Sequence, residues 1–202
     1  QNLEQRYEFS GGYFYLPNQF WAHKNHRIVL EALSLLKSRG KEMLILATGN
    51  MGDHRQPGHF DDIMALVDDL SVSGMFRPLG VVSYTDVMSL MRASVGIINP
   101  SLFEGWSTTV EEAKSMGKSV VLSDIPVHRE QAPERGVYFA ADSAESLAEV
   151  LSAVWTAWDE IKDREYIDEA LSRLPSRRKS FAKRYQRIVQ RVSGSSNEQQ
   201  SQ

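Results

Sequence analysis

The chain has no cysteine among its 202 residues. That excludes disulfides, thiol nucleophiles and cysteine-based zinc sites, and it suits a reducing compartment. No apolar run approaches the roughly 20 residues that a membrane-spanning helix needs, and the first residues lack the basic-then-apolar pattern of a secretory leader. The chain opens on Gln1 rather than methionine, so the expectation is a piece excised from something longer. Acidic residues are missing from 177–191, "RRKSFAKRYQRIVQR", which holds seven basic ones; with a net charge of −3, the remainder of the chain is distinctly acidic. What is present is ordinary for a globular protein, 42% hydrophobic and 24% charged, which excludes disorder of the whole. The length serves one large domain or two small ones.

Apolar runs of strand length alternate with stretches of helical period. "GYFYLP" (12–17), "MLILATG" (43–49), "MFRPLG" (75–80), "SVGIINP", "KSVVLSD" and "GVYFAA" read as strands. Between them, Ile28, Leu30, Leu33, Leu35 and Leu36 mark a helix ended by Gly40, and 60–70 is helical. Ser83 and Asp86 stand in capping-box spacing ahead of another helix, and "STTVEEAKSMG" forms the next. Helices are predicted over 143–157, 160–174 and 177–192. Near-continuous apolar strands alternating with helices predict a parallel sheet covered on both faces. The fold class is α/β: a Rossmann-like, doubly wound parallel sheet of about six strands with C-terminal helices. The expected organisation is a linker over 1–9, one domain over 10–192, and a disordered polar tail over 193–202. No internal repeat is visible.

In such a sheet, ligands bind beyond the C-terminal strand ends. Four segments lie there: "PNQFWAHKN", "TGNMGDHRQPG", "LGVVSYTD" and "NPSLFEGWSTT". The last leads into a helix whose first N–H groups and dipole favour an anion such as phosphate. Gly105 permits close backbone approach or positive φ, and Ser107, Thr108 and Thr109 add hydroxyl donors. Thr108 with Glu111 fits a capping box, which gives Glu111 a structural task. Glu112, four residues after Thr108, shares its face and can accept from two adjacent hydroxyls, as on a ribose. Glu104 stands on the other side of the turn, near a second sugar. A diphosphate with a polyol at each end is a nucleotide-sugar. Acidic residues near helix starts also occur for dipole reasons alone.

The stretch "PSLFEGWSTTVEEAKSMGKSVVLSD" resembles the donor motif of retaining glycosyltransferases of the GT-B fold, two glutamates with seven residues between them introduced by Pro-Ser and an aromatic. "MGKSVVLSD", "YFYLPNQFWAHKNHRIVLEAL" and "SFAKRYQRIV" resemble further segments of the same domain, in order over residues 9–192. The resemblance implies that Glu112 holds ribose hydroxyls and that Glu104 contacts the transferred sugar. It implies that Gly105, Trp106 and Ser107 touch that sugar and the distal phosphate, with Thr108 at the helix start. Lys24 would neutralise the diphosphate leaving group, Asn18 and Gln19 would border it, and Gly80 and Val81 would line the base pocket. The family's Gly-Arg phosphate clamp is Asn18-Gln19 here; the resemblance then implies one of three outcomes, Gln19 donating neutral hydrogen bonds, compensation by a cation such as His23 or Arg55, or weaker donor binding.

The resemblance further implies an enzyme, a hexosyltransferase acting in polysaccharide or surface-glycan assembly, of which this chain is the donor-binding half. The missing N-terminal half would bind the acceptor, so this piece alone is expected to bind nucleotide-sugar weakly and transfer nothing. The nucleoside-diphosphate-sugar is a co-substrate, and no cofactor or metal is expected; His23 and His26 have no carboxylate or cysteine cluster to complete a site. Rival readings are a GT-B nucleotide-sugar epimerase and a non-catalytic binding module. "GNMGDHRQPGHF" matches neither the dinucleotide fingerprint nor the P-loop and reads as a flexible rim. Phe181, Tyr185, Ile188 and Val192 form an apolar stripe among the seven cations. It suits packing on a neighbouring domain, or peripheral contact with anionic lipid through 177–192. No nucleic-acid-reading motif accompanies it. The expected location is cytoplasmic, at the inner membrane face if lipid is bound.

Overall fold

The computed structural model describes residues 3–198. In chain order the elements are α1 (Leu3–Tyr7), β1 (Tyr13–Leu16), a 3₁₀ turn (Ala22–Lys24), α2 (His26–Ser38), β2 (Leu44–Ala47), α3 (His59–Asp69), β3 (Phe76–Pro78) and α4 (Tyr84–Ala93). They continue with β4 (Gly96–Asn99), α5 (Thr108–Met116), β5 (Val120–Ser123), α6 (Pro126–Gln131), β6 (Gly136–Phe139), α7 (Ala144–Ala157) and α8 (Glu160–Glu198). All five strand pairings are parallel, in the order β3-β2-β1-β4-β5-β6.

Strand alternation explains why the apolar runs are continuous. Phe14 and Leu16 of β1 face one core with α2, α3 and α7; Tyr13 and Tyr15 face the other, with α4, α5 and α8. Ile98 and Ile97 of β4 divide in the same way, as do Val121 and Val120 of β5. Both faces are buried, as a doubly wound sheet requires. The winding reverses between β1 and β4, which opens a crevice at their C-terminal ends.

The structure departs from the sequence reading at α6, a short helix which that reading did not contain, and at three further places. Within the expected linker, Leu3–Tyr7 is helical, because Arg6 and Tyr7 both bond Asp86 on α4, at 2.7 and 2.9 Å. Asp86 is thereby committed to α1, while Ser83 Oγ accepts the Asp86 N–H. The two helices expected around Pro175 are one, α8. Pro175 lacks the N–H that a helix interior uses, yet Arg177 donates to the Lys114 carbonyl and fastens the chain beyond it to the end of α5. The backbone expected to be disordered is helical from Ser193 to Glu198, and 199–202 lie outside the described residues.

Close approach of α8 also depends on Gly117. It ends α5 at φ +72°, and a Cβ there would meet the Tyr166 carbonyl at 2.6 Å. Its C-cap role and the packing contact therefore demand the same residue.

His26 opens α2 fully buried, its ring stacked on Phe20 with centroids 4.2 Å apart. Burial, then the neighbouring His59, push its imidazole from 6.5 down to about 3, against a pull upward from the Asn18 backbone. Because the folded value is the lower one, the unfolded chain binds more protons between the two. Stability present above pH 6.5 is therefore lost as pH falls towards 3. Urea denaturation should show a loss of about 2–3 kcal/mol from this group between about pH 7 and 4.5, and His26→Phe should show a distinctly smaller loss.

Candidate active site

The loops after β1 and β4 meet at the crevice. Leu102 N donates to the His23 carbonyl at 2.8 Å, tying the β4–α5 loop to the 3₁₀ turn. Beside this bond, Lys24 Nζ lies 2.6 Å from Glu104 Oε1, with the side chains only 14% and 9% exposed. Ser101 Oγ reaches the same carboxylate oxygen at 2.7 Å and Asn99 Oδ1 at 2.8 Å, and its single proton serves one acceptor at a time. The 3₁₀ turn passes into α2 through Asn25 in the left-handed region, which turns Lys24 back over the crevice.

The expected residues divide into those that face outward and those that build the floor. Gly105, Trp106 and Thr108 are exposed, with Trp106 at 52%. Gly105 does not take a positive φ; the space where its Cβ would stand is open, which keeps close approach available. Ser107 is different: it is buried, and its Oγ caps α5 by accepting from Val110 N at 3.3 Å and Asn99 Nδ2 at 2.7 Å. Its N–H points to Gln131 Oε1 at 3.4 Å. Ser107 is thus the N-cap, Thr108 is the first helical residue, and the expected Thr108–Glu111 capping box does not form. Glu111 instead accepts from Gln131 Nε2 at 3.0 Å and Lys114 Nζ at 3.2 Å. Thr109 is buried as well. Among the described residues, the exposed part of this helix start is Thr108, and no hydrogen bond engages the Thr108 and Thr109 amides.

Asn18 is 4% exposed and donates inward to Asn99 Oδ1 at 3.1 Å. Gln19 Oε1 accepts the Asn50 N–H at 2.6 Å. Both side chains that stand where the family motif has its Gly-Arg clamp are therefore engaged with protein. Glu112 is half-buried on the outer face of α5, and the hydroxyl of Tyr84, at the start of α4, donates to its Oε1 at 3.2 Å. Charge on Glu112 raises the Tyr84 phenol, ahead of burial. The turn before Tyr84 carries Gly80, at φ +70° with its carbonyl accepting from Gly49 N, and Val81, 79% exposed. Val81, Tyr84, Leu102, Phe103 and Trp106 make an exposed apolar rim.

Asn99, Gln131 and Tyr84 are the residues that motif reading passed over. Gln131 reaches Ser107 from 24 positions away, a separation that no local pattern encodes. Tyr84, an aromatic next to the capping Ser83 at the start of α4, and Asn99, the residue at the end of β4 that opens "NPSLFEGWSTT", each had a local signal.

A parallel sheet with its crevice between β1 and β4, a lysine–glutamate pair within it and a helix start beside them defines a Rossmann-like domain with a candidate site at the strand ends. Residues 12–173 match the family described as Glycosyl transferases group 1, and the chain belongs to that family. Solved structures similar to it include a glycosyltransferase from Rickettsia africae, 21% identical, TM-score 0.72, over 86% of this chain and 45% of that one. HepE from Anabaena in complex with UDP is 16% identical, TM-score 0.65, over 84% and 51%. The catalytic domain of the Helicobacter pylori cholesterol-α-glucosyltransferase is 18% identical, TM-score 0.63, over 80% and 99%. The chain thus spans about half the length of the first two, and the likeness is one of GT-B fold. Among curated proteins none matches it.

Proposed function

We propose that this chain is the nucleotide-sugar-binding half of a retaining hexosyltransferase acting on a glycan or lipid-linked acceptor. The observation that carries the reading is the Lys24–Glu104 pair at the strand crossover, next to the open first turn of α5, with Glu112 one turn further on. A diphosphate seated over the Thr108–Thr109 amides gains hydrogen bonds and the helix dipole. Lys24 then turns from Glu104 to the phosphates and stabilises charge on the leaving group. Glu104, released, accepts from hydroxyls of the sugar and orients it. Glu112, with Tyr84 beside it, accepts from the ribose hydroxyls, and Gly80 and Val81 border the base. The departing phosphate serves as base on the same face of the sugar, so no nucleophile is assigned. That the similar HepE structure is in complex with UDP supports a nucleotide as the ligand.

The acceptor half would come from outside this chain, as its coverage of the larger structures suggests. The exposed stripe of Phe181, Tyr185, Ile188 and Val192 is a suitable face for it. The cations between those residues suit anionic lipid equally, and the proposed setting is then the cytoplasmic membrane face. No helix among the described residues is long and apolar enough to cross a membrane. Sedimentation with phosphatidylglycerol vesicles separates these uses: no binding by the native chain removes the lipid one.

A calorimetric screen of UDP, GDP, ADP and dTDP tests the central reading. One of them should bind, and Glu112→Ala should weaken it about tenfold, through loss of charge-assisted hydrogen bonds. Equal affinity in the variant would favour a scaffold, and sugar transfer by this chain alone would refute its assignment as a half.

A further inference from the structure

We propose that Arg55, on the loop between β2 and α3, is the second phosphate cation of the site, and that Gln19 serves as the bracket that holds it there. The inference rests on the donor-binding reading above and names a residue beyond it.

The charge at the crevice poses the question. Lys24 and Glu104 together are neutral, whereas a nucleoside diphosphate brings at least two negative charges into a half-buried place. Asn18 and Gln19 carry no charge and bond to protein. Beyond the helix dipole of α5, any further positive charge comes from another element.

The β2–α3 loop is built onto the β1 loop. Gln19 Oε1 accepts Asn50 N at 2.6 Å, Phe20 N donates to the Asn50 carbonyl at 3.0 Å, and Thr48 N donates to the Leu16 carbonyl at 3.1 Å. Contact is close enough to demand glycine at 49: a Cβ there would lie 2.4 Å from the Asn18 carbonyl oxygen and 2.8 Å from Gln19 Cα. Gly49 sits at φ +152°, a conformation few side chains allow. From this attachment the chain turns at Asp53, whose carboxylate accepts the Arg55 N–H at 2.9 Å. The turn lays the Arg55 guanidinium over the Trp21 ring, 5.3 Å from its centroid. Trp21 in turn tilts against His23, ring centroids 5.7 Å apart, and Lys24 follows directly.

Cation and crevice are thus joined by a continuous row of Arg55, Trp21, His23 and Lys24. Both flanking cations are felt at its middle: burial first, then Lys24, with Arg55 further down, lower the His23 imidazole, while Glu104 and Asp53 oppose them. Among the described residues the Arg55 guanidinium makes no ion pair within salt-bridge distance, and the Asp53 carboxylate that attracts it is already engaged by the Arg55 N–H. Attraction to the Trp21 ring face positions the guanidinium without using its five N–H donors, which leaves them for phosphate oxygens. The flexible rim suggested by the glycines of "GNMGDHRQPGHF" is, on this reading, a mounted arm.

The test is a double-mutant cycle on this 202-residue chain. Each variant is titrated with whichever of UDP, GDP, ADP and dTDP binds, and with the matching monophosphate. Arg55→Gln should weaken diphosphate binding about tenfold and shift monophosphate binding about twofold or less; Arg55→Lys should recover part of the loss. Gln19→Ala should weaken the diphosphate similarly, and the double variant should be no weaker than the worse single one, because both act through one arm. The diphosphate affinity of Arg55→Gln should also depend less on salt. If Arg55→Gln matches wild type while Glu112→Ala loses affinity, the donor-binding reading stands and Arg55 is not its cation. Additive losses in the double variant would overturn the bracket role of Gln19. If the wild-type chain binds none of the four, the reading and this proposal fail together.

Discussion

In calorimetric titrations Lys24→Met should bind nucleoside diphosphate on the order of 100-fold more weakly than wild type, whereas Glu104→Gln should bind it as tightly or a few-fold more tightly. Opposite signs from the two ends of one ion pair follow from what each end does when ligand arrives. Without ligand, Lys24 Nζ and Glu104 Oε1 are 2.6 Å apart and largely shielded from water. Low local polarity makes their attraction appreciable, and a phosphate has to compete with it. Replacing Glu104 by an amide removes the competitor and keeps a partner for Ser101, 2.7 Å away. Replacing Lys24 deletes the cation and leaves a carboxylate facing the phosphate without compensation. A nucleoside diphosphate has no sugar beyond the phosphates, so it loses nothing with Glu104. The same Glu104→Gln change should be costly for transfer in an enzyme carrying both halves, because a sugar-positioning contact would go. Equal weakening in both variants, with urea midpoints unchanged, would make the pair a strut and not a switch.

The second large effect concerns stability. Asp163→Ala should lower the unfolding free energy by about 3–5 kcal/mol, as broken buried ion pairs do. Lys118 is 1% exposed and lies 2.5 Å from Asp163 Oδ2, and its ammonium also donates to the Ser94 carbonyl at 2.5 Å. Arg135 holds the other carboxylate oxygen at 2.7 Å, donates to the Gly117 carbonyl at 2.7 Å, and lies over the Tyr166 ring at 4.3 Å. Burial lowers the Lys118 ammonium from its ordinary value and the Asp163 carboxylate opposes that shift. Alanine at 163 removes the opposition and strands a cation in the core. Urea denaturation measures the result: the midpoint falls while the slope stays, since the folded state is still compact. The Lys118→Met, Asp163→Leu double variant should cost far less than Asp163→Ala alone, because no buried charge is left over. A cost as large as that of the single variant would mean that packing of α8, and not charge, holds this corner together.

Much of the architecture could be read from local pattern. The six strands appear where their apolar runs are, since a strand buried on both faces needs an unbroken run, and the helices between them follow their 3.6-residue period. Where patterns competed, the longer-range contact won. Separate helices were expected over 160–174 and 177–192, yet α8 runs through both, with Arg177 bonded to the Lys114 carbonyl. Thr108 with Glu111 had capping-box spacing, but Ser107 took the cap because Asn99 and Gln131 hold it from other elements.

The site divides along the same line. Lys24 was marked only by the family resemblance, while from the chain alone came the spacing of Glu104 and Glu112 and the glycine-opened helix start between them. Those depend on covalent connection and helical period, which are local. Only the folded sheet joined Lys24 to Glu104 across 80 positions, turned Asn18 and Ser107 inward, and bracketed the Arg55 loop onto Gln19. Hydrogen bonds and ion pairs between distant segments act over a few ångströms of space, and sequence distance does not encode that separation. Strand order decided it, by setting β1 beside β4.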